Sequence, residues 1–268
     1  MTLPIVSESF YWTPSPAGPL LKCRPLKGAA AHFFTTREAR LSSANSWQRV
    51  GNLIGAREVV TVNQVHGCEV VVVARGAALS ADTQNADVLV SDRPDVAVAV
   101  RAADCVPLLL ADVATGAVAA VHAGWRGTAA GAATEAVQAL RRAFGSKPEH
   151  LVAAIGPSIG PCCYEVGSEL VDAFAAAGHA RHLIQRWFVS PPPRRDAARC
   201  GLRPEARTSL RLDVAGANRD QLMLAGVPEG QIYACGLCTA MHLDVLTSYR
   251  AEKEKAGRLA AVIRAHAG

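Results

Sequence analysis

The sequence predicts an α/β fold of the mixed α+β kind, a single domain of mixed β-sheets flanked by helices. Three observations predict it. Short Val-rich runs bounded by Gly, Asp, Asn or Pro recur between residues 58 and 124, as strands do. Helical patterns follow only after these runs, and hairpin connections are mixed with crossovers. A length of 268 residues allows about one large domain or two small ones.

The individual elements follow from periodicity and from capping residues. The predicted strands are 58–65, 68–75, 86–91, 96–105, 106–113, 117–124, 150–160 and 231–239. The predicted helices are 128–145 with Thr128 as N-cap and Gly145 at its end, 167–180, and 212–227 with Asp213 near its start and Gly226 at its end. Residues 257–265 form a last strand or short helix, and the Pro-rich residues 190–209 form a surface loop.

Composition limits the class of protein. Half of the residues are hydrophobic and only 5% are aromatic, so the core is built mainly from Ala, Val and Leu. The net charge of +5 is spread along the chain without interleaved aromatics, which favours a small anionic substrate over a nucleic acid. The first 20 residues lack the pattern of a signal peptide, and no apolar run of 18 residues occurs. We therefore expect a cytoplasmic protein that binds neither nucleic acid nor membrane and keeps its eight cysteines mostly reduced.

A hairpin can bring a cysteine next to a histidine. If Val113 and Gly116 flank a two-residue turn, paired residues sum to 229, so that His122 faces Pro107. Cys105 shares a strand face with Pro107 because side chains alternate. Cys105 and His122 then become diagonal neighbours, with roughly 7–8 Å between the backbones of the two strands. A register slip of one residue would separate them.

His66 repeats the pattern of His122, since both close an apolar run just before a glycine-containing turn. Two imidazoles and one thiolate form a three-ligand set for zinc with one position left open, and copper tolerates the same ligands. A second interpretation makes Cys105 a nucleophile with His122 as its base and needs no metal. In a third, all three are packed residues without chemistry, which is the commoner role of a single His or Cys in an apolar run.

Two smaller features accompany this set. Gly124, Gly127 and Arg126 form a turn before a helix, where backbone N–H groups and a guanidinium can receive an anion. The adjacent Cys162 and Cys163 are assigned no chemistry. The pair Cys235 and Cys238 has CxxC spacing but ends a strand and has no second pair, so we expect neither structural zinc nor a redox role there.

Taken together, several long motifs resemble the YfiH-like, laccase-domain family, over about residues 30–264. They are "NQVHG" (63–67), "RAADCVPLLLAD" (101–112), "VHAGWRGTAAG" (121–131), "AIGPSIGPCCYEVG" (154–167), "LDVAGANRDQLMLAGV" (212–227) and "CTAMHLDVLTSYRAEKEKAGRLAAVI" (238–263). The resemblance implies one domain over residues 30–264 behind an N-terminal extension, 1–29. It also implies a fold similar to the catalytic domain of cytotoxic necrotizing factor, a Cys/His deamidase.

The resemblance further implies a metal site and an activity. His66, Cys105 and His122 are the expected ligands of zinc, or of copper. The implied activity is phosphorolysis of the purine nucleosides adenosine, inosine and methylthioadenosine, with adenosine deaminase activity beside it. Cys105, His122 and Asp104 are the expected catalytic residues. The expected partners are a purine nucleoside and phosphate, and the default oligomeric state is a monomer.

The resemblance also implies substrate contacts, from the same motifs and from the "FFTTR" step near the N-terminus, which supplies Arg37. The expected residues are Arg37, Asn63, Gln64, Arg126 and Gly127. The sequence departs from the family pattern after Arg37, where a double glycine is missing and the segment to Asn63 is short, and at Thr247, where the family has Phe. Two alternatives therefore stay open: a copper-dependent phenol oxidase, and a metal-binding protein without turnover.

Overall fold

A computed structural model describes residues 2–41, 43–76, 84–190 and 210–266. The strands are β1 (Phe10–Thr13), β2 (Leu20–Cys23), β3 (Ala30–Phe34), β4 (Glu58–Val60), β5 (Val70–Val73), β6 (Val88–Ser91), β7 (Val96–Ala102), β8 (Val106–Asp112), β9 (Val118–Ala123), β10 (Leu151–Ile155), β11 (Glu165–Val166), β12 (Phe188–Val189), β13 (Leu210–Leu212), β14 (Ile232–Ala234) and β15 (Leu259–Ala265). The helices are α1 (Ala44–Ile54), α2 (Trp125–Ala129), α3 (Ala132–Phe144), α4 (Glu169–Ala176), α5 (Arg181–Trp187), α6 (Val214–Leu224) and α7 (Tyr249–Glu252). The surface loop predicted for 190–209 lies outside the described residues from 191 onward.

Two six-stranded mixed sheets organise the domain. The first sheet has the order β1-β2-β3-β15-β7-β4, and the second sheet has the order β14-β10-β8-β9-β6-β5. Strands β4 and β7, β5 and β6, and β10 and β14 pair in parallel, while the other pairs are antiparallel. A third, smaller sheet has the order β11-β13-β12. The predicted mixed-sheet architecture is confirmed.

Apolar side chains on alternating faces of the strands divide the protein into layers. Val98 and Val100 of the first sheet share one buried cluster with Leu109 and Val118 of the second, so the two sheets pack face to face. The outer face of the second sheet is covered by α3 and α6, and the outer face of the first sheet is covered by α1. Both faces of each sheet are thus buried, which explains the nearly continuous apolar runs of β7 and β8.

One helix prediction is wrong at its start. Thr128 is not an N-cap, because α2 already begins at Trp125 and Gly131, with φ of 83°, separates it from α3. Thr128 is buried instead, and its hydroxyl accepts a hydrogen bond from Nδ2 of Asn218 in α6. Gly145 ends α3 in the left-handed conformation, as predicted. The side chain of Asp213 caps α6 by accepting from the backbone N–H of Gly216, as its place in the sequence suggested.

The two ends of the chain meet in the first sheet. The segment 257–265 is a strand, β15, which lies between β3 and β7. Strands β1 and β2 fall within residues 1–29 and extend the same sheet. They are only four residues long, which explains why alternation did not reveal them. Among the described residues, no helix is both long enough and apolar enough to span a membrane.

Candidate active site

The β8–β9 hairpin has the predicted register. Pro107 pairs with His122 and Val106 pairs with Ala123, so paired positions sum to 229. Cys105 comes immediately before β8, on the same strand face as Pro107. The hairpin therefore brings the Cys105 thiol to the imidazole of His122.

Four adjacent strands of the second sheet each position one residue of the site. Cys105 directly precedes β8, His122 lies in β9, Asp87 directly precedes β6, and His66 lies four residues before β5. The ligand atoms of His66, Cys105 and His122 all lie within 4.8 Å of one another. The two imidazole rings meet edge to face, with centroids 4.9 Å apart. The three predicted metal ligands are thus brought together.

Two residues of the site have left-handed backbones that non-glycine residues seldom adopt. The φ angle is 64° at His66 and 86° at Asp104. His66 is held by the next residue, Gly67, whose N–H donates to Asp87 Oδ2 at 2.6 Å. Asp104 is held by its carboxylate, which accepts from Thr239 Oγ1 and from the backbone N–H of Arg250, both at 2.6 Å. Backbone strain of about 1–3 kcal/mol per residue persists only where the surroundings enforce it, and it clusters at functional sites.

Glycines make the close packing of the site possible. A Cβ atom at Gly124 would lie 2.8 Å from Sγ of Cys105 and 3.1 Å from Cδ2 of His66. A Cβ atom at Gly127 would lie 2.8 Å from the carbonyl oxygen of Gly67. The turn after β9 therefore fits against the His66 loop only because both positions lack side chains.

Asp87 is a site residue that the sequence analysis missed. Its side chain is fully buried, and Oδ1 accepts a hydrogen bond from Nδ1 of His122 at 2.7 Å. Burial raises the pKa of Asp87, but the hydrogen bonds from His122 and Gly67 outweigh that effect and leave the pKa lowered. The available signal was a carboxylate opening the apolar run "ADVLVS", because a buried charge needs a partner.

The cysteine and the histidine of the hairpin stabilise each other's charged forms. Burial raises the pKa of Cys105, yet hydrogen bonds with His122 and His66 lower it to about 6. Burial lowers the pKa of His122, yet Asp87 and Cys105 raise it to about 9. Each of the two groups therefore favours the charged form of the other, the thiolate of Cys105 and the imidazolium of His122.

The donor set also fits a metal ion. Two imidazoles and one thiolate converge. Their exposure to solvent increases from the buried His122 through the half-buried Cys105 to the exposed His66. Three protein ligands with one side open to a pocket match a zinc site of the catalytic type, and sulfur with imidazole also suits copper. Asp87 supplies the carboxylate that commonly orients a ligating histidine.

The site opens into a cavity of about 850 Å³. Its walls carry the aromatic side chains of Trp125, Tyr164 and Tyr249. They also carry five cationic side chains: Arg101, Arg126, Arg250, Lys253 and Arg258. The guanidinium of Arg126 lies 4.4 Å from the centroid of the Trp125 ring.

The substrate residues expected from the resemblance are only partly assembled at this cavity. Gln64 and Arg126 line it, while Gly127 packs behind it against Gly67. The side-chain amide of Gln64 exchanges two hydrogen bonds with the backbone of Arg101, so it fixes the wall.

The other two expected contacts lie elsewhere. Asn63 does not line the cavity and donates to Oδ1 of Asn85 at 2.6 Å. Arg37 does not line it either, since its guanidinium binds the carbonyl oxygen of Leu243 and the carboxylate of Glu252 at 2.9 Å. Arg37 therefore links the N-terminal part of the chain to the C-terminal segment that contains Leu243 and Glu252.

A second group of sulfur atoms lies behind the cavity wall. The sulfur atoms of Cys162, Cys163 and Cys238 are all within 4.8 Å of one another. The backbone N–H of Gly160 points at Sγ of Cys238 at 3.3 Å. A hydrogen bond from Cys162 lowers the pKa of Cys238 to about 6. The CxxC spacing pairs Cys238 with Cys235. It could not reveal the contact between Cys238 and Cys163, because these residues lie 75 positions apart in the chain.

Comparisons with known proteins agree with this geometry. Residues 34–266 match the family model described as "Multi-copper polyphenol oxidoreductase laccase". The chain is 34% identical to a purine nucleoside phosphorylase of Deinococcus radiodurans, over 93% of this chain and 94% of that protein. It is 36% identical to an adenosine deaminase named RL5 from an unknown prokaryotic organism, over 68% of this chain and 65% of that protein.

Solved structures give the same result. The crystal structure of the Bacillus licheniformis hypothetical protein YfiH superposes with a TM-score of 0.80 at 26% identity, covering 96% of this chain and 99% of that chain. YlmD from Geobacillus stearothermophilus superposes with a TM-score of 0.77 at 28% identity, over 96% and 99% of the two chains. The sequence motifs, the His-Cys-His geometry and these matches together show that the chain belongs to the YfiH-like, laccase-domain family.

Proposed function

We propose that this protein is a zinc-dependent purine nucleoside phosphorylase acting on adenosine, inosine and methylthioadenosine, with adenosine deaminase activity at the same site. The observation that carries the proposal is the joining of the His66, Cys105 and His122 cluster to a cavity with aromatic and cationic walls. The names of the relatives support the same reaction classes. The proposal also places the protein in the cytoplasm as a monomer.

Phosphorolysis needs a phosphate held close to the sugar. An oxygen of the phosphate attacks the anomeric carbon, the bond from that carbon to the purine nitrogen breaks, and the electron pair leaves on the purine. Arg126 carries a planar donor fork suited to the phosphate and opens onto the cavity beside the cluster. Trp125 and Tyr164 offer aromatic faces for the base.

His66, Cys105 and His122 would hold the zinc ion, which would supply Lewis-acid stabilisation of developing negative charge and activation of water for deamination. Asp87 fixes the tautomer and the orientation of His122 through its 2.7 Å hydrogen bond. Asp104 acts by positioning, because its two oxygens hold Thr239 and the backbone of Arg250, whose side chain lines the cavity.

The test combines products with metal content. Purified protein with adenosine and phosphate should release adenine and ribose 1-phosphate, and it should form inosine in parallel. Cys105→Ala should lose zinc and both activities, whereas Cys68→Ala should keep them as the matched control. Failure of both reactions with metal present would refute the proposal, and full zinc retention in Cys105→Ala would refute the ligand assignment.

A metal-free cysteine nucleophile is the second candidate. It is favoured by the chain of contacts from Cys105 to His122 to Asp87, which has the order of a nucleophile, a base and an orienting carboxylate. The expected likeness to the catalytic domain of cytotoxic necrotizing factor belongs with this candidate. Activity that survives complete metal removal but not alkylation of Cys105 would establish it in place of the zinc enzyme.

The same purified protein can be used to distinguish a copper enzyme from a zinc enzyme. The ligand set also suits copper, and the description of the matching family names a polyphenol oxidoreductase. Copper bound in a one-to-one ratio, with oxygen uptake on adding a phenol, would favour the oxidase. Metal bound without affinity for nucleosides or phenols would favour a binding protein without turnover.

A further inference from the structure

The cations of the cavity have no acidic partners in the described part of the chain. Ion pairs form at many other places, but none includes Arg101, Arg126, Arg250, Lys253 or Arg258. Asp104 is the one carboxylate among the lining residues that the structure describes, and both of its oxygens already accept hydrogen bonds from the protein. The protein therefore leaves this concentration of positive charge to a ligand.

Four of the five cations lie on, or in the segment next to, strands of the first sheet. Arg101 is the last residue but one of β7, and Arg258 immediately precedes β15, which pairs with β7 in a register that sets Leu259 opposite Ala102. Arg250 and Lys253 belong to the segment that leads into β15. We name these four residues the first-sheet cations. Arg126 comes from another element, because it belongs to α2, directly after β9 of the second sheet.

Contacts with the protein hold one of the first-sheet cations, Arg250, in place. Nη1 of Arg250 donates to the carbonyl oxygen of Glu165 at 3.0 Å, and its guanidinium lies 5.2 Å from the centroid of the Tyr164 ring. Lys253 has φ of 54°, a conformation that is costly for any residue other than glycine.

A single phosphate does not account for this arrangement. Five cationic side chains without acidic partners line the described cavity, whereas a phosphate dianion brings only about two negative charges and a nucleoside brings none. The attacking phosphate therefore leaves positive charge on the first-sheet cations without an anion. A cavity of about 850 Å³ has room for a nucleotide and a phosphate together.

We infer that the protein takes nucleoside 5′-monophosphates as a further class of substrate, whose own phosphate binds the first-sheet cations. This inference rests on the proposed function and extends its range of substrates. The reaction balances as before: the attacking phosphate forms a bond to the anomeric carbon, the bond to the purine nitrogen breaks, and the purine leaves with the electron pair and takes up a proton. The products from AMP are adenine and ribose 1,5-bisphosphate.

Binding tests the inference independently of turnover. Calorimetry on the full-length metal-loaded protein should give a Kd for AMP at least about tenfold below that for adenosine, with the difference shrinking as salt is added. Phosphate-dependent release of adenine should likewise be faster from AMP at low substrate concentration. An equal or weaker affinity for AMP overturns the inference even if adenosine is cleaved. Tighter binding of AMP without release of adenine from either compound supports binding of the 5′-phosphate by these cations, but it overturns the proposed reaction and with it the role of AMP as a substrate.

Substitutions of the first-sheet cations test where the 5′-phosphate of AMP binds. In the double variant Lys253→Met with Arg258→Met, the ratio of AMP affinity to adenosine affinity should fall close to one. Lys27→Met removes an exposed cation that does not line the cavity, and it should leave that ratio unchanged. An unchanged ratio in the double variant, with a normal melting temperature, would show that these cations do not bind the 5′-phosphate.

Discussion

The carboxylate of Asp87 accepts a hydrogen bond from Nδ1 of His122 at 2.7 Å while its other oxygen accepts one from the N–H of Gly67, the residue after His66. One buried acid thus sets the orientation of both histidines of the cluster. Its side chain is fully buried, so no solvent competes for these hydrogen bonds.

Replacing Asp87 tests this arrangement. Asp87→Asn keeps the shape of the side chain but removes the charge that stabilises the His122 imidazole, so zinc affinity should fall about 10–100-fold. Competition with a chromogenic chelator measures the loss. Asp92→Asn, at a partly exposed carboxylate bound to Arg75, is the matched control. Equal zinc affinity in the two variants would show that Asp87 does not support the metal site.

Gly124 is expected to be required for the geometry of the cluster. Gly124→Ala places a methyl group 2.8 Å from Sγ of Cys105, so zinc binding and activity should be lost. Gly230→Ala is the control, because nothing lies within 4 Å of its added Cβ atom. Zinc stoichiometry and circular dichroism of both variants check the result. Full zinc binding by a folded Gly124→Ala protein would contradict the close packing described here.

Arg37 should act on stability and not on phosphate binding. Arg37→Met loses the hydrogen bonds to Leu243 and Glu252, which should lower the free energy of unfolding by about 1–2 kcal/mol with the KM for phosphate little changed. Arg126→Met should show the opposite pattern, a raised KM and nearly normal stability. Urea unfolding and phosphate-dependent kinetics separate the two. A raised KM for phosphate in Arg37→Met would restore Arg37 as a substrate ligand.

His32 should make stability depend on pH. Burial lowers its pKa from 6.5 to about 4, and its Nε2 accepts the N–H of Cys23, so the folded protein keeps this ring neutral. Because the unfolded chain binds the proton first, this contribution is complete above pH 6.5 and is lost as the pH falls towards 4, by about 3 kcal/mol in all. Unfolding free energies of wild type and His32→Gln should converge over that range. Parallel pH profiles would count against this role of His32.

Local sequence was sufficient for the hairpin of the site. Turn residues fixed the β8–β9 register, and strand alternation then placed Cys105 beside His122. The similar positions of His66 and His122 predicted the third ligand, since each residue ends an apolar run close to a glycine. These are contacts within one hairpin or between similar strand ends, where pattern is informative.

Contacts between segments that are distant in the chain could not be predicted from the sequence. Asp87 approaches His122 only because β6 pairs with β9, and no periodicity encodes that pairing. The first-sheet cations gather because β15 lies beside β7, although 150 residues or so separate them in the chain. Arg37 is another example, since a motif match could not reveal that Glu252 would bind its guanidinium.

The chain crosses from the first sheet to the second within residues 103–105, between β7 and β8. The His66, Cys105 and His122 cluster is therefore positioned by strands of the second sheet, while the first-sheet cations lie on a strand of the first sheet or in the segment that leads into one. The residues proposed for the reaction and those proposed for the 5′-phosphate thus come from different sheets, joined by this short connection. We therefore expect mutations in the segment leading into β15 to change substrate preference more than reactivity, which makes that segment a starting point for directed evolution.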